Sequence, residues 1–298
     1  MLDKRKFYIN GQWVEPSKKN DFEVINPSDE SVCALISLGS QEDTNAAVQA
    51  AKDALPMWSS STRDERIALL EKLYSIYQRR MDEMAEVISM EMGAPIDFSK
   101  RSQAPSGTEA IEDFLIQLKK FEFEKQLDDS SNQLIYQPKG VCALITPWNW
   151  PISQVALKVI PAIATGCTMV LKPSEIAPLD SMLFAEMLEE AGCPAGVFNL
   201  VNGDGAGVGS QLTSHPDIDM VSFTGSTRAG ALISHNAADD FKRVGLELGG
   251  KGANIIFADA DDKAVKRGVR HCFNNTCLLY TSDAADDTPC VDLGGRRI

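Results

Sequence analysis

Four short segments carry residue types that do chemistry where strands give way to loops. In Thr146-Pro-Trp-Asn-Trp-Pro151, Asn149 sits between two tryptophans. A side-chain amide fixed there can donate to a developing oxyanion, or it can close its own turn. Lys172-Pro-Ser-Glu175 sets a cation beside a carboxylate. A carboxylate just past a strand can accept both hydroxyls of a ribose, with the lysine supporting them or a phosphate; a surface ion pair has the same spacing. Glu247 stands alone in Leu246-Glu-Leu-Gly-Gly250. A carboxylate within an apolar strand has its pKa pushed up and can serve as a general base, or it can pair with Arg243 or Lys251. Gly225-Ser-Thr-Arg-Ala-Gly230 places glycines around a helix start, where close backbone approach and free N–H groups attract phosphate. That spacing differs from the usual G-x-G-x-x-G.

These segments need a sheet to position them. Residues 7–35 predict short strands with turns at Asn10-Gly11 and Asn26-Pro27. Ser40 and Asp43 form a capping-box pattern that opens a helix to about Met57. A second helix starts after Thr62, with Ile67, Leu70, Leu73 and Tyr77 on one face, resumed by Met84, Val87 and Ile88 and stopped at Gly93-Ala-Pro95. A third covers about 106–123, and the polar stretch 127–133 reads as a linker or hairpin. From residue 141 strands alternate with helices. Strands are expected at 141–146, 168–173, 198–203, 220–225, 243–250 and 254–259; helices are expected near 151–165, 179–191, 205–213 and after 226. This order predicts an α/β fold: a helical N-terminal prelude, then a doubly wound parallel sheet of dinucleotide-binding type. In such sheets ligands sit beyond the carboxyl ends of the strands, where the four segments fall.

Composition narrows the classes of function. The chain has 298 residues, 29 basic against 42 acidic, a net charge of −13. That balance argues against nucleic acid or an anionic membrane surface as partner. The seven cysteines are scattered without a C-x-x-C pair, and with three histidines they offer no metal-ligand spacing, so no metal is expected. The cysteine usage, and an N-terminus without an apolar signal core, fit a cytoplasmic protein.

The segments TPWNWP, LKPSE, FTGST and LELGGK, in this order and at these intervals, resemble the NAD(P)-dependent aldehyde dehydrogenase superfamily, as do INGQWV and INPSDE near the N-terminus. The resemblance covers about residues 7–276. It implies that Asn149 is the oxyanion-hole amide, Glu247 the general base and Lys158 the lysine near the active site. It implies that Lys172, Ser174 and Glu175 contact the adenosine ribose, and that Ile145, Thr146 and Trp148 line the cofactor cleft. Gly205, Gly209, Phe223, Gly225, Ser226 and Leu248 fall at the remaining cofactor positions. In this family a cysteine thiolate attacks an aldehyde, hydride passes to the nicotinamide, and the thioester is hydrolysed. The implied partners are NAD, with NADP as the alternative, and a small aldehyde; the implied assembly is a homo-oligomer. Glu175 favours NAD, because it repels a 2′-phosphate. Two other classes stay open: a non-catalytic dinucleotide-binding relative, and a phosphorylating or acylating relative that releases its thioester to phosphate or CoA.

The resemblance breaks at the nucleophile. The family pattern is Asn-x-Gly-Gln-x-Cys; here Asn275-Thr276 is followed by Cys277-Leu-Leu-Tyr280, so Tyr280 holds the nucleophile's place and Cys277 comes three residues early. The run from Cys277 reads as the translation of a sequencing-library adapter. The expected organisation is therefore a cofactor-binding domain over 1–248, the start of a second, α/β catalytic domain over 249–276, and an artefactual tail over 277–298. The substrate portion is expected to be missing and the chain to be inactive as written.

Overall fold

The computed structural model describes residues 1–128, 131–250, 254–272 and 275. Strands β1 (Leu2–Asp3), β2 (Phe7–Ile9), β3 (Gln12–Val14), β4 (Asp21–Asn26) and β5 (Ser31–Ser37) come first. The β2–β3 hairpin turns at Asn10 and Gly11, both left-handed (φ 51° and 75°), as an Asn-Gly hairpin turn requires.

Helix α1 (Gln41–Ser59) opens on the expected capping box: Ser40 Oγ accepts from the N–H groups of Glu42 and Asp43, and Asp43 Oδ2 accepts from Ser40 N at 2.8 Å. Helix α2 (Arg63–Arg79) repeats the device with Thr62 and Glu65. Its buried face carries Leu70, Leu73 and Tyr77 as expected. The single long helix expected there is two: the chain breaks at Arg80, and α3 runs from Met81 to Met92 before Gly93 ends it in the left-handed region. Arg80 is held at the break by Glu83 and by Glu186, a packing constraint that apolar periodicity does not register. A short turn α4 (Ile96–Phe98) and a π-helical turn (Ser99–Gln103) lead into α5 (Pro105–Lys120), and the polar stretch is a hairpin of β6 (Glu124–Gln126) and β7 (Gln133–Ile135).

The expected alternation follows: β8 (Val141–Ile145), α6 (Pro151–Ala164), β9 (Thr168–Lys172), α7 (Leu179–Ala191), β10 (Phe198–Leu200), a π-helical turn (Gly205–Gly209), α8 (Ser210–Ser214), β11 (Met220–Gly225), α9 (Thr227–Ala238), β12 (Arg243–Leu248) and α10 (Ala264–Cys272). The main sheet has the order β12-β11-β8-β9-β10-β2-β3, with β8 to β12 parallel and the N-terminal hairpin added antiparallel at one edge. Strands β8 and β9 are buried along their whole length, as central strands covered on both faces must be. Alternate side chains of β8 enter two cores. Cys142 and Leu144 face α2, α3, α5, α6 and α7; Val141, Ala143 and Ile145 face α1, α8 and α9. The fold is thus the doubly wound α/β architecture expected.

The strand expected over Asn254–Asp259 is absent. A strand needs a ladder partner, and β12 is the sheet edge among the described residues. Ile255 and Phe257 are exposed instead. Among the described residues no helix is long and apolar enough to cross a membrane.

Candidate functional site

From β8 the chain steps outward through β9 to β10, whereas β11 lies on the other side of β8 and leads to β12. The order therefore reverses between β8 and β11, the switch point where an open α/β sheet forms its ligand crevice. The carboxyl ends of three strands line up there in register: Ile145 is level with Lys172 on one side and Phe223 on the other. Thr146 extends the row by donating its N–H to the Lys172 carbonyl at 3.2 Å.

On the β9 side, Lys172 is buried (3% exposed) and its Nζ donates to the carbonyls of Pro173 and Gly203. Burial lowers its pKa, and Glu175, 3.5 Å away, opposes the drop. Lys172 thus holds the loop, while the Glu175 carboxylate is half-buried. Ser174 is buried, with its Oγ accepting from Ile176 N. Gly209 packs over the Lys172 stem, and a methyl at Gly205 would meet open space.

The glycines at the α9 entry serve a purpose the sequence does not announce. A methyl on Gly225 would lie 2.5 Å from the Phe223 ring, and one on Gly230 2.6 Å from Leu248. Their close approach is to the protein's own side chains. Ser226 caps α9 by accepting from Ala229 N at 3.2 Å.

On the β8 side, Asn149 is 1% exposed, and neither atom of its amide has a hydrogen-bond partner. A buried amide without partners is costly and rare, so its orientation is set by something other than its own bonding. The backbone supplies that: the Asn149 carbonyl accepts from Gln103 Nε2 at 3.4 Å and Asn275 Nδ2 at 3.1 Å, and Gln103 also donates to Asn275 Oδ1 at 3.0 Å. Trp148 Nε1 and Thr224 Oγ1 are likewise buried and unpartnered. Trp150 anchors the loop by an edge contact with Phe98 at 5.8 Å.

Lys158 projects from α6 to donate to Ser222 Oγ of β11 at 3.1 Å. Burial pulls its pKa down to about 8, and Glu247 opposes the fall. Alternation explains why those two charges sense each other. Phe223, Val244 and Leu246 pack into the α1–α8–α9 core, so Ser222 and Glu247 face the α6 side. The burial expected of Glu247 is not found: among the described residues β12 is an edge strand, and Glu247 is exposed.

The strand ends thus bring together Ile145, Thr146, Lys172, Ser174, Glu175 and Phe223, and separately Lys158, Ser222 and the face carrying Glu247. Gln103 is a residue that sequence reasoning missed; a lone glutamine in a short π-helical turn has no periodic signal. Lys251, Cys277 and Tyr280 lie outside the described residues. A cavity of about 510 Å³ elsewhere is lined by Arg63, Arg66, Phe121 and Tyr136, none of which belongs to these strand ends.

Residues 13–277 match the sequence model of the aldehyde dehydrogenase family. The chain is 52% identical over 278 residues to a 3-succinoylsemialdehyde-pyridine dehydrogenase of a Pseudomonas species, an alignment covering 93% of this chain and 58% of that protein. The crystal structure of an aldehyde dehydrogenase from Bartonella henselae superposes with a TM-score of 0.92 at 57% identity, covering 95% of this chain and 60% of that one. A point mutant of aldehyde dehydrogenase C from Pseudomonas syringae, complexed with NAD+ and octanal, superposes with a TM-score of 0.90 at 44% identity, covering 93% and 57%. The chain therefore spans less than two thirds of the length of these relatives.

Proposed function

Because this chain belongs to the aldehyde dehydrogenase family, we propose that it supplies the cofactor cleft, the oxyanion donor and the general base of an enzyme oxidising an aldehyde to a carboxylic acid with NAD. The carrying observation is Asn149: a buried amide, both atoms unpartnered, held through its backbone at the switch-point loop. Such an amide is preorganised to donate to a substrate oxygen as charge develops on it. Residues 1–248 form the cofactor domain in this reading, and 249–276 begin the catalytic domain.

The strand ends fit a dinucleotide. Glu175, steadied by Lys172, accepts from the ribose hydroxyls; Ile145, Thr146, Trp148 and Phe223 wall the cleft; Ser174, Gly205, Gly209, Gly225, Ser226 and Leu248 complete its rim. NAD supplies a hydride acceptor when bound. Lys158 keeps a buried positive charge beside Ser222, and Glu247 takes a proton from the water that hydrolyses the acyl intermediate. Hydrolysis, rather than transfer to phosphate or CoA, is the outcome a water-activating carboxylate favours.

Tyr280 stands where the family pattern asks for cysteine, so the 298-residue chain should bind NAD and yield no NADH with octanal or the pyridine semialdehyde. A chimera continuing residues 1–276 with the remainder of the Bartonella henselae enzyme should restore turnover. NADH formation by the chain itself that depends on Cys277, or a folded chimera that neither binds NAD nor turns over, overturns the reading.

Cofactor choice gives a further expectation. In the chimera, Glu175→Gln should narrow the preference for NAD over NADP, because the carboxylate repels a 2′-phosphate. An unchanged ratio of kcat/KM for the two cofactors would remove Glu175 from the ribose.

A further inference from the structure

Helix α7 starts without a side-chain cap of its own, because Pro178 occupies the N-cap position. Its first N–H groups, those of Leu179 and Asp180, donate instead to Glu91 Oε2 and Oε1 at 2.6 and 2.9 Å. Glu91 lies in the last turn of α3, and both carboxyls are fully buried. This bond ties α3 to the far end of the loop 173–178, whose near end Lys172 ties to the Pro173 and Gly203 carbonyls. The loop is pinned at both ends, with Glu175 between them.

Asp180 adds a second observation. Its Oδ1 accepts from Ser181 Oγ at 3.3 Å, while its Oδ2 is buried without any donor. A charged oxygen cannot be left so, and the neighbouring Glu91 carboxylate offers the only explanation the contacts supply: one proton lies between the two carboxyls. Burial raises both pKa values, that of Asp180 to about 7. The other titratable side chains facing the pair are Cys33 of β5 and Tyr77 of α2, each pushed up first by burial and then by the pair's charge.

We propose that Glu91 and Asp180 are positioning residues for the cofactor, clamping the start of α7 so that Glu175 is held where it receives the adenosine ribose. This rests on the ribose role proposed for Glu175. A raised carboxyl pKa contributes stability that is lost as pH rises through it, so the clamp loosens as pH climbs past about 7.

The test is NAD binding by the 298-residue chain, followed by tryptophan fluorescence between about pH 6 and pH 8.5, with melting temperatures alongside. The wild type is expected to lose affinity across that range. Glu91→Gln, which cannot accept both N–H groups, should weaken binding about tenfold at neutral pH, the size of one lost charge-assisted hydrogen bond. Asp180→Asn, whose amide donates where the proton sat, should flatten the pH profile. A lower melting temperature with an unchanged NAD constant for Glu91→Gln, or an Asp180→Asn profile that follows the wild type, overturns the clamp alone. A wild type that binds no NAD overturns the cofactor reading beneath it. Where Glu91→Gln fails to fold, the Asp180→Asn profile still decides.

Discussion

Replacing Asn149 with alanine in the chimeric enzyme is expected to lower kcat by about 10²–10³, the usual cost of removing one preorganised oxyanion donor. The structure separates this effect from unfolding. Neither atom of the amide bonds to the protein, so alanine leaves no protein group without its partner. The hydrogen bonds that shape the loop run from Gln103 and Asn275 to the Asn149 backbone carbonyl, which alanine retains. Melting temperature and NAD affinity should therefore stay close to those of the parent while kcat falls. Steady-state rates with a thermal melt check this. A rate within about twofold of the parent would leave Asn149 as a loop former with no part in the chemistry.

The parts of this site that were legible in the sequence are those governed by local rules. The Ser40–Asp43 pattern marks a helix start because a side chain three residues on can return to the cap. The continuous apolar runs of β8 and β9 mark central parallel strands, and the polar residues that follow must then lie at the crevice. Long-range bonds left no such trace. The break at Arg80 depends on Glu186 of α7, and the partners of the Asn149 carbonyl come from a π-helical turn and from Asn275. The cap of α7 comes from Glu91, which reads locally as one more acidic residue on a helix. One local reading also pointed astray. Glu247 sits in an apolar string, yet the string is an edge strand, and burial depends on what lies beside an edge rather than on the string itself.

The largest effect is expected of Glu247→Gln. If Glu247 activates the deacylating water, the amide cannot accept its proton, and thioester hydrolysis should slow by about 10²–10⁴, the range of a general-base contribution. Hydride transfer should be nearly spared. Stopped-flow traces of the chimera should then show a burst of NADH near one equivalent per active site, followed by slow turnover. Glutamine nearly keeps the shape of glutamate, so the fold and NAD binding should survive. A second consequence follows from Lys158. Its pKa is drawn down to about 8 by burial and held up in part by Glu247, so removing that charge should draw it lower. Any pH dependence that Lys158 imposes on the burst should move toward acid in the variant, whereas a base that acts only on water would leave the burst profile in place. If Glu247 instead primes the cysteine thiol, the burst itself slows, and alkaline pH restores it by forming thiolate directly. If it serves only as an ion-pair partner, both phases stay intact and the melting temperature falls. An undiminished steady state would take Glu247 out of the chemistry and leave water activation to a group beyond residues 1–276.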